Sequence, residues 1–346
     1  MPGGIGRYVR HLVAALPGAG VAPVAFAAGA RPEGIDGCYV DLGRPTGALR
    51  YEAWHRLRRP VVRAPGDVVH AASLAVPPPG PRPLVVTVHD LVFLRQPALL
   101  TARGAAFHRR GLELARLEAS AVIVPTAFGR DDLLDEGFDP ALVHVAHHGV
   151  ALPASPADPD AENASLTRRG VRPPFVLFVG TIEPRKGVPE LLAAHAALRV
   201  EHPELDLVLA GPAGWGPAPE LSAPGVRWLG GVDDLTLDAL YRAAVALALP
   251  SRYEGFGLPV AEAMARSCPV VVSDAACLPE VAGGAGMVVA TGDADALAGA
   301  LGGLLADRDR RDERAAAGRA RAASFTWAAS AAAHARAYGA ALEAGR

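Results

Sequence analysis

Short apolar runs alternate with helical patterns along both halves of the chain, and this rhythm limits the folds open to it. The runs lack the polar–apolar alternation of a half-exposed strand, so they are typical of strands covered on both faces. The sequence therefore predicts α/β architecture with two doubly wound parallel sheets. The predicted strands are 21–28, 67–70, 84–89, 121–125, 143–146, 175–180, 206–211, 226–230, 245–250 and 268–273. The predicted helices are 6–16, 50–58, 98–118, 127–136, 188–200, 235–244, 259–266, 294–306 and 310–322.

A proline-rich segment separates the two halves. Residues 152–174 contain five prolines and several acids, which is typical of a linker between domains. We expect an N-terminal domain over 1–165 and a C-terminal domain over 172–325, since 346 residues are enough for two domains. The Ala-rich segment 326–346 is predicted to form a helix that packs back on the N-terminal domain.

Composition argues against several classes of protein. The formal net charge of −2 does not suit a nucleic-acid binder that depends on a basic surface. Three widely spaced cysteines form neither a disulfide framework nor a metal cluster, which indicates a reducing compartment. No apolar run reaches the roughly 18 residues of a membrane span. We therefore expect a cytoplasmic protein.

The glycine-rich start "GGIGRY" is followed by an amphipathic helical pattern. Such a loop normally follows a strand, yet only Met1 and Pro2 precede Gly3. The first strand of a doubly wound sheet is usually central, and its loss exposes backbone groups of two neighbouring strands. We therefore expect the native polypeptide to begin upstream of Met1, so that the first strand of the N-terminal domain is missing here.

The most informative segment is "LALPSRYEGFGLPVAEAMARSCPVVVSD". An apolar strand ends at Pro250, a glycine-rich loop follows, and Pro259 opens a helix, a position that suits proline. Glu254 lies in the loop, and Glu262, eight positions later, is placed in the first turn of the helix. The glycines let a ligand approach the backbone closely, which favours a binding site over a purely structural turn.

Lys186 is the single lysine of a chain that has 34 basic residues. On composition alone, chance and function explain it equally well. It follows Arg185 at the mouth of a predicted helix, where a compact cation and the helix dipole together suit a phosphate group.

Taken together, these segments resemble the retaining glycosyltransferases of the GT-B architecture, family 4, with their E-x7-E motif. The resemblance covers nearly the whole chain and includes "GGIGRY", "VTVHDL", "FVGTIEPRKGVPELLAA", "LVLAGP" and the segment that contains both glutamates. It implies two Rossmann-like domains that face a central cleft. It also implies transfer of a sugar of the mannose or glucose type from a nucleoside diphosphate sugar to an acceptor hydroxyl, with retention of the anomeric configuration.

The resemblance also implies roles for particular residues. Glu254 orients the donor sugar, and Glu262 binds the ribose hydroxyls of the nucleotide. Lys186 holds the diphosphate beside Arg185, and His89 lies near the transferred sugar. The further donor-binding residues implied are Gly180, Thr181, Gly255, Phe256, Gly257 and Leu258. The implied loop for the acceptor or a phosphate is Gly4, Ile5 and Gly6. Many relatives carry an arginine in place of Thr181, so more of the phosphate contact falls here to the basic pair.

We expect no cofactor and no metal ion, because the aspartates of 158–160 lie in the predicted linker and those of 293–295 open a helix. The implied partners are a nucleotide sugar and a glycan, lipid-linked or small-molecule acceptor, with peripheral contact at the inner face of the membrane. The implied pathway is bacterial polysaccharide or glycolipid synthesis. Uridine, guanosine and adenosine donors all stay open.

Two other enzyme classes remain as alternatives. A sugar-nucleotide epimerase of the same fold is not expected to carry the E-x7-E pair. An NAD-dependent oxidoreductase would use the first glycine loop and needs an acid about 20 residues later, at the end of a second strand. The predicted strand 21–28 ends in alanines instead. A binding protein without catalysis is disfavoured by the intact glutamates and basic pair.

Overall fold

The computed structural model describes residues 4–27, 34–35, 37–44, 47–151, 158–216 and 219–344. An N-terminal unit contains residues 2–149 and 326–346, and a C-terminal unit contains residues 150–325. The strands are β1 (Val24–Ala27), β2 (Cys38–Asp41), β3 (Val69–Ala71), β4 (Leu84–Thr87), β5 (Ala121–Val124), β6 (Val143–Val145), β7 (Phe175–Val179), β8 (Asp206–Ala210), β9 (Val226–Gly230), β10 (Ala246–Leu249), β11 (Val270–Ser273) and β12 (Met287–Val289).

The helices follow the strands in the alternation that the sequence predicts. They are α1 (Gly4–Ala15), α2 (Gly47–Leu57), α3 (Val92–Arg95), α4 (Ala102–Glu118), α5 (Ala127–Asp135), α6 (Pro159–Arg168), α7 (Val188–Leu198), α8 (Asp234–Ala243), α9 (Leu258–Ala265), α10 (Leu278–Ala282), α11 (Ala294–Ala306), α12 (Arg308–Ala322) and α13 (Trp327–Ala344).

The C-terminal unit contains one parallel sheet whose described strands lie in the order β12-β11-β10-β7-β8-β9. β7, β10 and β11 are buried at every residue, as their apolar runs predict. The order reverses between β7 and β10, which are paired with each other. The carboxyl ends of these two strands therefore form the switch point at which doubly wound sheets bind ligands.

The N-terminal unit contains a parallel sheet in the order β3-β4-β5-β6 and a separate parallel pair, β1 and β2. The order of the four described strands follows the chain. The alanines of α13 lie against this sheet, where Ala337 and Ala341 belong to one apolar cluster with Val85 and Ile123. Met1–Gly3 lie outside the described residues, and the expected upstream strand stays a prediction.

The segment predicted as a linker contains a helix. Asp158 caps the N-terminus of α6, and Pro159 occupies its first turn. Ser165 is hydrogen-bonded through its hydroxyl to Thr236 of α8 at 2.7 Å, and both residues are buried. Because α6 packs on α8, the linker prediction is wrong for this helix, and the C-terminal unit begins at residue 150 and not at 172. Residues 152–157 of the segment lie outside the described residues.

Two short strands were not predicted. β2 and β12 span four and three residues, and neither is a buried apolar run, since every residue in them is half-buried or exposed. Val288 in the middle of β12, for example, is 45% exposed. β12 is an edge strand with a neighbour on one side only. Its residues are half-buried or exposed, so it does not need the continuous apolar run of a strand that is covered on both faces. Within the described ranges, no helix combines the length and the apolar character that crossing a membrane requires.

Candidate functional site

Two glycine turns lead from the strands at the switch point into helices. Gly187 connects the turn Pro184–Lys186 to α7 with a φ of 67°, a conformation that favours glycine. A Cβ at this position would lie 2.1 Å from the carbonyl oxygen of Pro250, just after β10. Gly257, with a φ of 83°, precedes α9 in the same way. The loops after β7 and β10 are therefore in close contact, and each leads into a helix N-terminus.

Across these two loops, buried Lys186 and Glu254 form an ion cluster with half-buried Arg185. Lys186 Nζ lies 2.6 Å from Glu254 Oε1, and Arg185 Nη1 lies 3.1 Å from Glu254 Oε2. Arg185 Nε also lies 2.6 Å from a carboxylate oxygen of Glu183. Lys186 and Glu254 are each 6% exposed. The structure thus brings together three of the residues predicted to hold the donor, and the single lysine is held by the first glutamate of the motif.

The charges of this cluster balance. Two cations, Arg185 and Lys186, face two carboxylates, Glu183 and Glu254. The sequence predicted a basic pair ready for phosphate, whereas the structure shows each cation already paired with a carboxylate. A lysine ammonium has three N–H donors, and the hydrogen bond to Glu254 uses one of them. The pairing therefore fixes the position of the ammonium group without using all its donors.

Small polar side chains hold Glu254 in place. Ser251 donates its hydroxyl proton to Glu254 Oε1 at 2.7 Å, and Ser273 donates to the carbonyl of Ser251 at 2.5 Å. The thiol of Cys277 donates to the carbonyl of Glu254 at 3.1 Å. Sequence reasoning missed these residues and Glu183. The available signal was position, because Ser251 and Ser273 stand at the carboxyl ends of buried strands, where ligand sites form.

Glu254 remains ionised because of its partners. Burial raises the pKa of its carboxyl group, but the charges of Lys186 and Arg185 and the hydrogen bonds from Lys186 and Ser251 outweigh burial and lower this pKa to about 2. The carboxylate is consequently an acceptor at neutral pH and is not an acid that could donate a proton.

Below pH 4.5, the protein is expected to lose the stabilisation that ionised Glu254 provides. The carboxyl pKa is about 2 in the folded protein and 4.5 ordinarily, so the contribution is complete above pH 4.5 and is lost as the pH falls toward 2. At 1.36 kcal/mol per pKa unit, the full loss is about 3 kcal/mol. Urea unfolding at neutral pH and at about pH 3 tests this, because the free-energy difference between native protein and Glu254→Gln should shrink at the lower pH.

The exposed Glu313 of α12 provides a control, since Glu313→Gln should leave the free energy of unfolding unchanged at both pH values. A difference between native protein and Glu254→Gln that does not vary with pH would contradict the role of these partners.

Glu262 lies in the second turn of α9, whereas the sequence analysis placed it in the first turn. It is 4% exposed, and the hydroxyl of buried Tyr241 donates to its Oε2 at 3.0 Å. The helix dipole acts mainly within the first turn. Favourable interaction with the dipole therefore does not explain this buried carboxylate, which supports a binding role.

The remaining donor-binding candidates divide between the loop surface and the core. Phe256 is 4% exposed and packs edge-on against Phe325, with ring centroids 5.5 Å apart. Its side chain is therefore part of the core, and its assignment to the donor site stays a prediction that concerns its backbone. Gly257 is buried in its turn. The half-buried candidates in the two loops are Gly180, Thr181, Gly255 and Leu258.

His89 belongs to the N-terminal unit, two residues after β4. Its Nε2 lies 2.9 Å from the carbonyl oxygen of Ala72, and its ring meets that of Tyr8 edge-on at 4.9 Å. Burial lowers the pKa of His89, although the hydrogen bond to Ala72 and the charge of Asp90 oppose this. The imidazole is therefore neutral at neutral pH.

Gly4, Ile5 and Gly6 form the first turn of α1. The predicted loop is therefore helical, and the prediction of a loop was wrong. Ile5 is 48% exposed, and a Cβ on Gly4 would meet no atom within 4 Å.

The two aspartate clusters considered as metal ligands serve as helix caps. Asp158 accepts hydrogen bonds from two amides of α6, and Asp293 accepts one from the amide of Ala296 in α11. In the part of the chain that the structure describes, no group of three or more His, Cys, Asp or Glu side chains is placed to hold a metal ion. Activity without a metal stays a prediction.

Comparison with known proteins identifies relatives of both units. The family model "Glycosyltransferase Family 4" matches residues 2–153, and "Glycosyl transferases group 1" matches residues 173–307. The O-antigen chain mannosyltransferase B of Escherichia coli is 33% identical over 70% of this chain and 66% of its own length. The alpha-maltose-1-phosphate synthase of Mycolicibacterium smegmatis is 33% identical over 71% of this chain and 70% of its own length.

Solved structures share the fold along most of the chain. Anabaena HepE in complex with UDP-glucose has a TM-score of 0.74 at 19% identity, covering 97% of this chain and 95% of HepE. WaaG, a glycosyltransferase involved in lipopolysaccharide biosynthesis, has a TM-score of 0.70 at 20% identity, covering 95% of this chain and 96% of WaaG. The predicted α/β fold class is confirmed.

Proposed function

Because this chain belongs to the family 4, group 1 glycosyltransferases, we propose that it transfers a sugar from a nucleoside diphosphate sugar to an acceptor hydroxyl with retention of the anomeric configuration. One observation carries the proposal. The Lys186–Arg185–Glu254 cluster is built from the two loops of the switch point that lead into α7 and α9. Cations and helix N-termini both stabilise a bound phosphate.

The basic pair acts on the leaving group in this proposal. As the bond between the anomeric carbon and the diphosphate breaks, negative charge grows on the departing phosphate oxygen. Lys186, Arg185 and the N-termini of α7 and α9 stabilise that charge from fixed positions, which is the most effective form of electrostatic catalysis. The departing oxygen takes the proton of the acceptor hydroxyl, so no separate carboxylate base is required.

The two glutamates bind different parts of the donor in this proposal. Glu254, ionised through its partners, accepts hydrogen bonds from hydroxyls of the donor sugar while it positions Lys186. Glu262, buried on α9, binds the ribose hydroxyls. His89, a neutral imidazole of the N-terminal unit, contacts the transferred sugar.

For the substrate, we propose a hexose donor of the mannose or glucose type and a glycan or lipid-linked acceptor in polysaccharide or glycolipid synthesis. The similarity to a mannosyltransferase that acts on O-antigen chains supports this choice. A cytoplasmic location with peripheral contact at the inner membrane face is part of the same proposal. The epimerase alternative is not favoured by any described residue.

The protein is expected to turn over its donor in the presence of EDTA, because the cluster and the helix termini replace a divalent ion at the leaving phosphate. Thermal-shift measurement against UDP- and GDP-linked hexoses first selects the donor, since a ligand at ~100 times its dissociation constant adds ~2.7 kcal/mol of stability. Release of the nucleoside diphosphate is then followed with EDTA and with added Mn²⁺. Loss of activity in EDTA and its return with Mn²⁺ would contradict the proposed mechanism.

A further inference from the structure

Tyr8 is enclosed by aromatic side chains within the N-terminal unit. It lies in the second turn of α1 and is 1% exposed. Its ring centroid lies 4.9 Å from those of both His89 and His148, 5.8 Å from that of His334 and 6.4 Å from that of Trp327. A buried phenol hydroxyl needs hydrogen-bond partners, and the partners of Tyr8 decide how its ring is oriented.

The first partner is His334 of α13, whose protonation state follows from its neighbours. His334 Nδ1 lies 2.8 Å from the carbonyl oxygen of Ser330, which can only accept, so Nδ1 carries the proton. Burial lowers the pKa of His334 to about 4, which leaves the ring neutral and Nε2 an acceptor. Tyr8 therefore donates its hydroxyl proton to His334 Nε2, 2.8 Å away.

The oxygen of the same hydroxyl is the acceptor end of a chain of hydrogen bonds that all point in one direction. Since Tyr8 uses its hydroxyl proton in the hydrogen bond to His334, its oxygen accepts a hydrogen bond from Thr87 Oγ1 at 2.9 Å. Thr87 in turn accepts from His70 Nε2 at 2.8 Å, and His70 Nδ1 accepts from the hydroxyl of Tyr338 at 2.9 Å. With His334 and His70 both neutral through burial, the carbonyl of Ser330 thus sets the direction of every hydrogen bond from Tyr338 to His334.

This chain passes close to His89 in the sequence. Thr87 is the last residue of β4, and His89 follows two residues later. The contact of His89 Nε2 with the carbonyl of Ala72 places its own proton on Nε2, so Nδ1 holds the lone pair. The ring of His89 stands at 85° to that of Tyr8, and rotation of either ring would break this edge-on packing.

We propose that Tyr8 is a positioning residue, whose hydroxyl, held between Thr87 and His334, fixes the ring against which His89 packs and so presents His89 Nδ1 as a hydrogen-bond acceptor. Tyr8 belongs to the same helix as Gly4, Ile5 and Gly6, so it also ties that first turn to the sheet. The effect on turnover rests on the proposed function, whereas the orientation of His89 does not.

Side-chain nitrogen NMR of the histidines in the full-length protein tests the chain directly. At neutral pH we expect three neutral rings, with the proton on Nε2 in His89 and His70 and on Nδ1 in His334. A charged His334, or one with its proton on Nε2, would overturn the proposal even if the protein transferred no sugar.

The variant Tyr8→Phe keeps the ring and removes the hydroxyl between Thr87 and His334. We expect mixed tautomers of His70, because Thr87 no longer has to donate to Tyr8, whereas His89 keeps its proton on Nε2 through the carbonyl of Ala72. We also expect a kcat lowered by ~10-fold with an unchanged KM for the donor, because misplacement of a reacting group acts on the chemical step. Tyr51→Phe, at a 41% exposed tyrosine of α2, is the control and should change neither. A folded Tyr8→Phe protein with the native His70 tautomer and native kcat would refute the positioning role.

Discussion

Replacing Lys186 by alanine is expected to lower turnover of the nucleotide sugar by at least ~10²-fold, the scale of one lost transition-state contact. Lys186 Nζ is fixed by Glu254 at 2.6 Å, and Lys186 is 6% exposed. Arg185, the other cation of the cluster, is held by Glu183 and Glu254 and should not take the place of the ammonium group. Glu254 keeps Arg185 and Ser251 as partners in the variant. The fold should therefore survive, and steady-state kinetics with the donor chosen by thermal shift measures the loss.

Two comparison variants sharpen this test. Lys186→Arg keeps the charge but replaces a compact ammonium by a planar fork, so it should recover only part of the activity. Arg308→Ala removes a cation whose side chain is 83% exposed on α12 of the same unit and should leave turnover unchanged. Native turnover in a folded Lys186→Ala protein would remove the basis for the assigned phosphate site.

Replacing Gly211 by alanine is expected to destabilise the protein by about 3 kcal/mol or more and to abolish donor binding. Gly211 follows β8 with a φ of 149°, and a Cβ there would lie 1.9 Å from the carbonyl oxygen of Gly180. That oxygen belongs to backbone, which cannot move aside as a flexible side chain does. Because Gly180 begins the loop that contains Arg185 and Lys186, the steric conflict should also displace the ion cluster.

Gly231, just after β9, is the matched control for this change. A Cβ on Gly231 would meet nothing within 4 Å, so Gly231→Ala should alter the free energy of unfolding by no more than about 0.5 kcal/mol. Urea unfolding and donor titration of both variants separate the two cases. Equal stability of Gly211→Ala and Gly231→Ala would show that the loops after β7 and β8 do not pack as described.

Much of the C-terminal unit was predictable because its strands and helices have strong local signals. β9 and α11 have the bounds that the sequence predicts, at 226–230 and 294–306. α6 was missed because its prolines and acids were taken as loop signals, although Asp158 followed by Pro159 is also the start of a helix. The same residue types serve both purposes, and only the packing of α6 on α8 decides between them.

The candidate site was predictable in its residues but not in its contacts. Lys186 and Glu254 were each assigned to the donor site, yet they lie 68 positions apart, and no pattern in the sequence indicates that one binds the other. The hydrogen-bond chain through Tyr8 joins residues up to 326 positions apart. Such distances are set by tertiary packing, which local periodicity does not encode.

The balanced charges around Glu254 have a consequence for selectivity among cellular anions. A bare pair of cations would attract inorganic phosphate and other small anions, and these would compete with the substrate. A pair that is already neutralised by Glu183 and Glu254 attracts such an anion less, because the two carboxylates offset the charge of the two cations. In the proposed donor site, the ribose and hexose hydroxyls of a nucleotide sugar add contacts that a bare phosphate lacks. The pairing of the cations would therefore favour the complete donor over small anions.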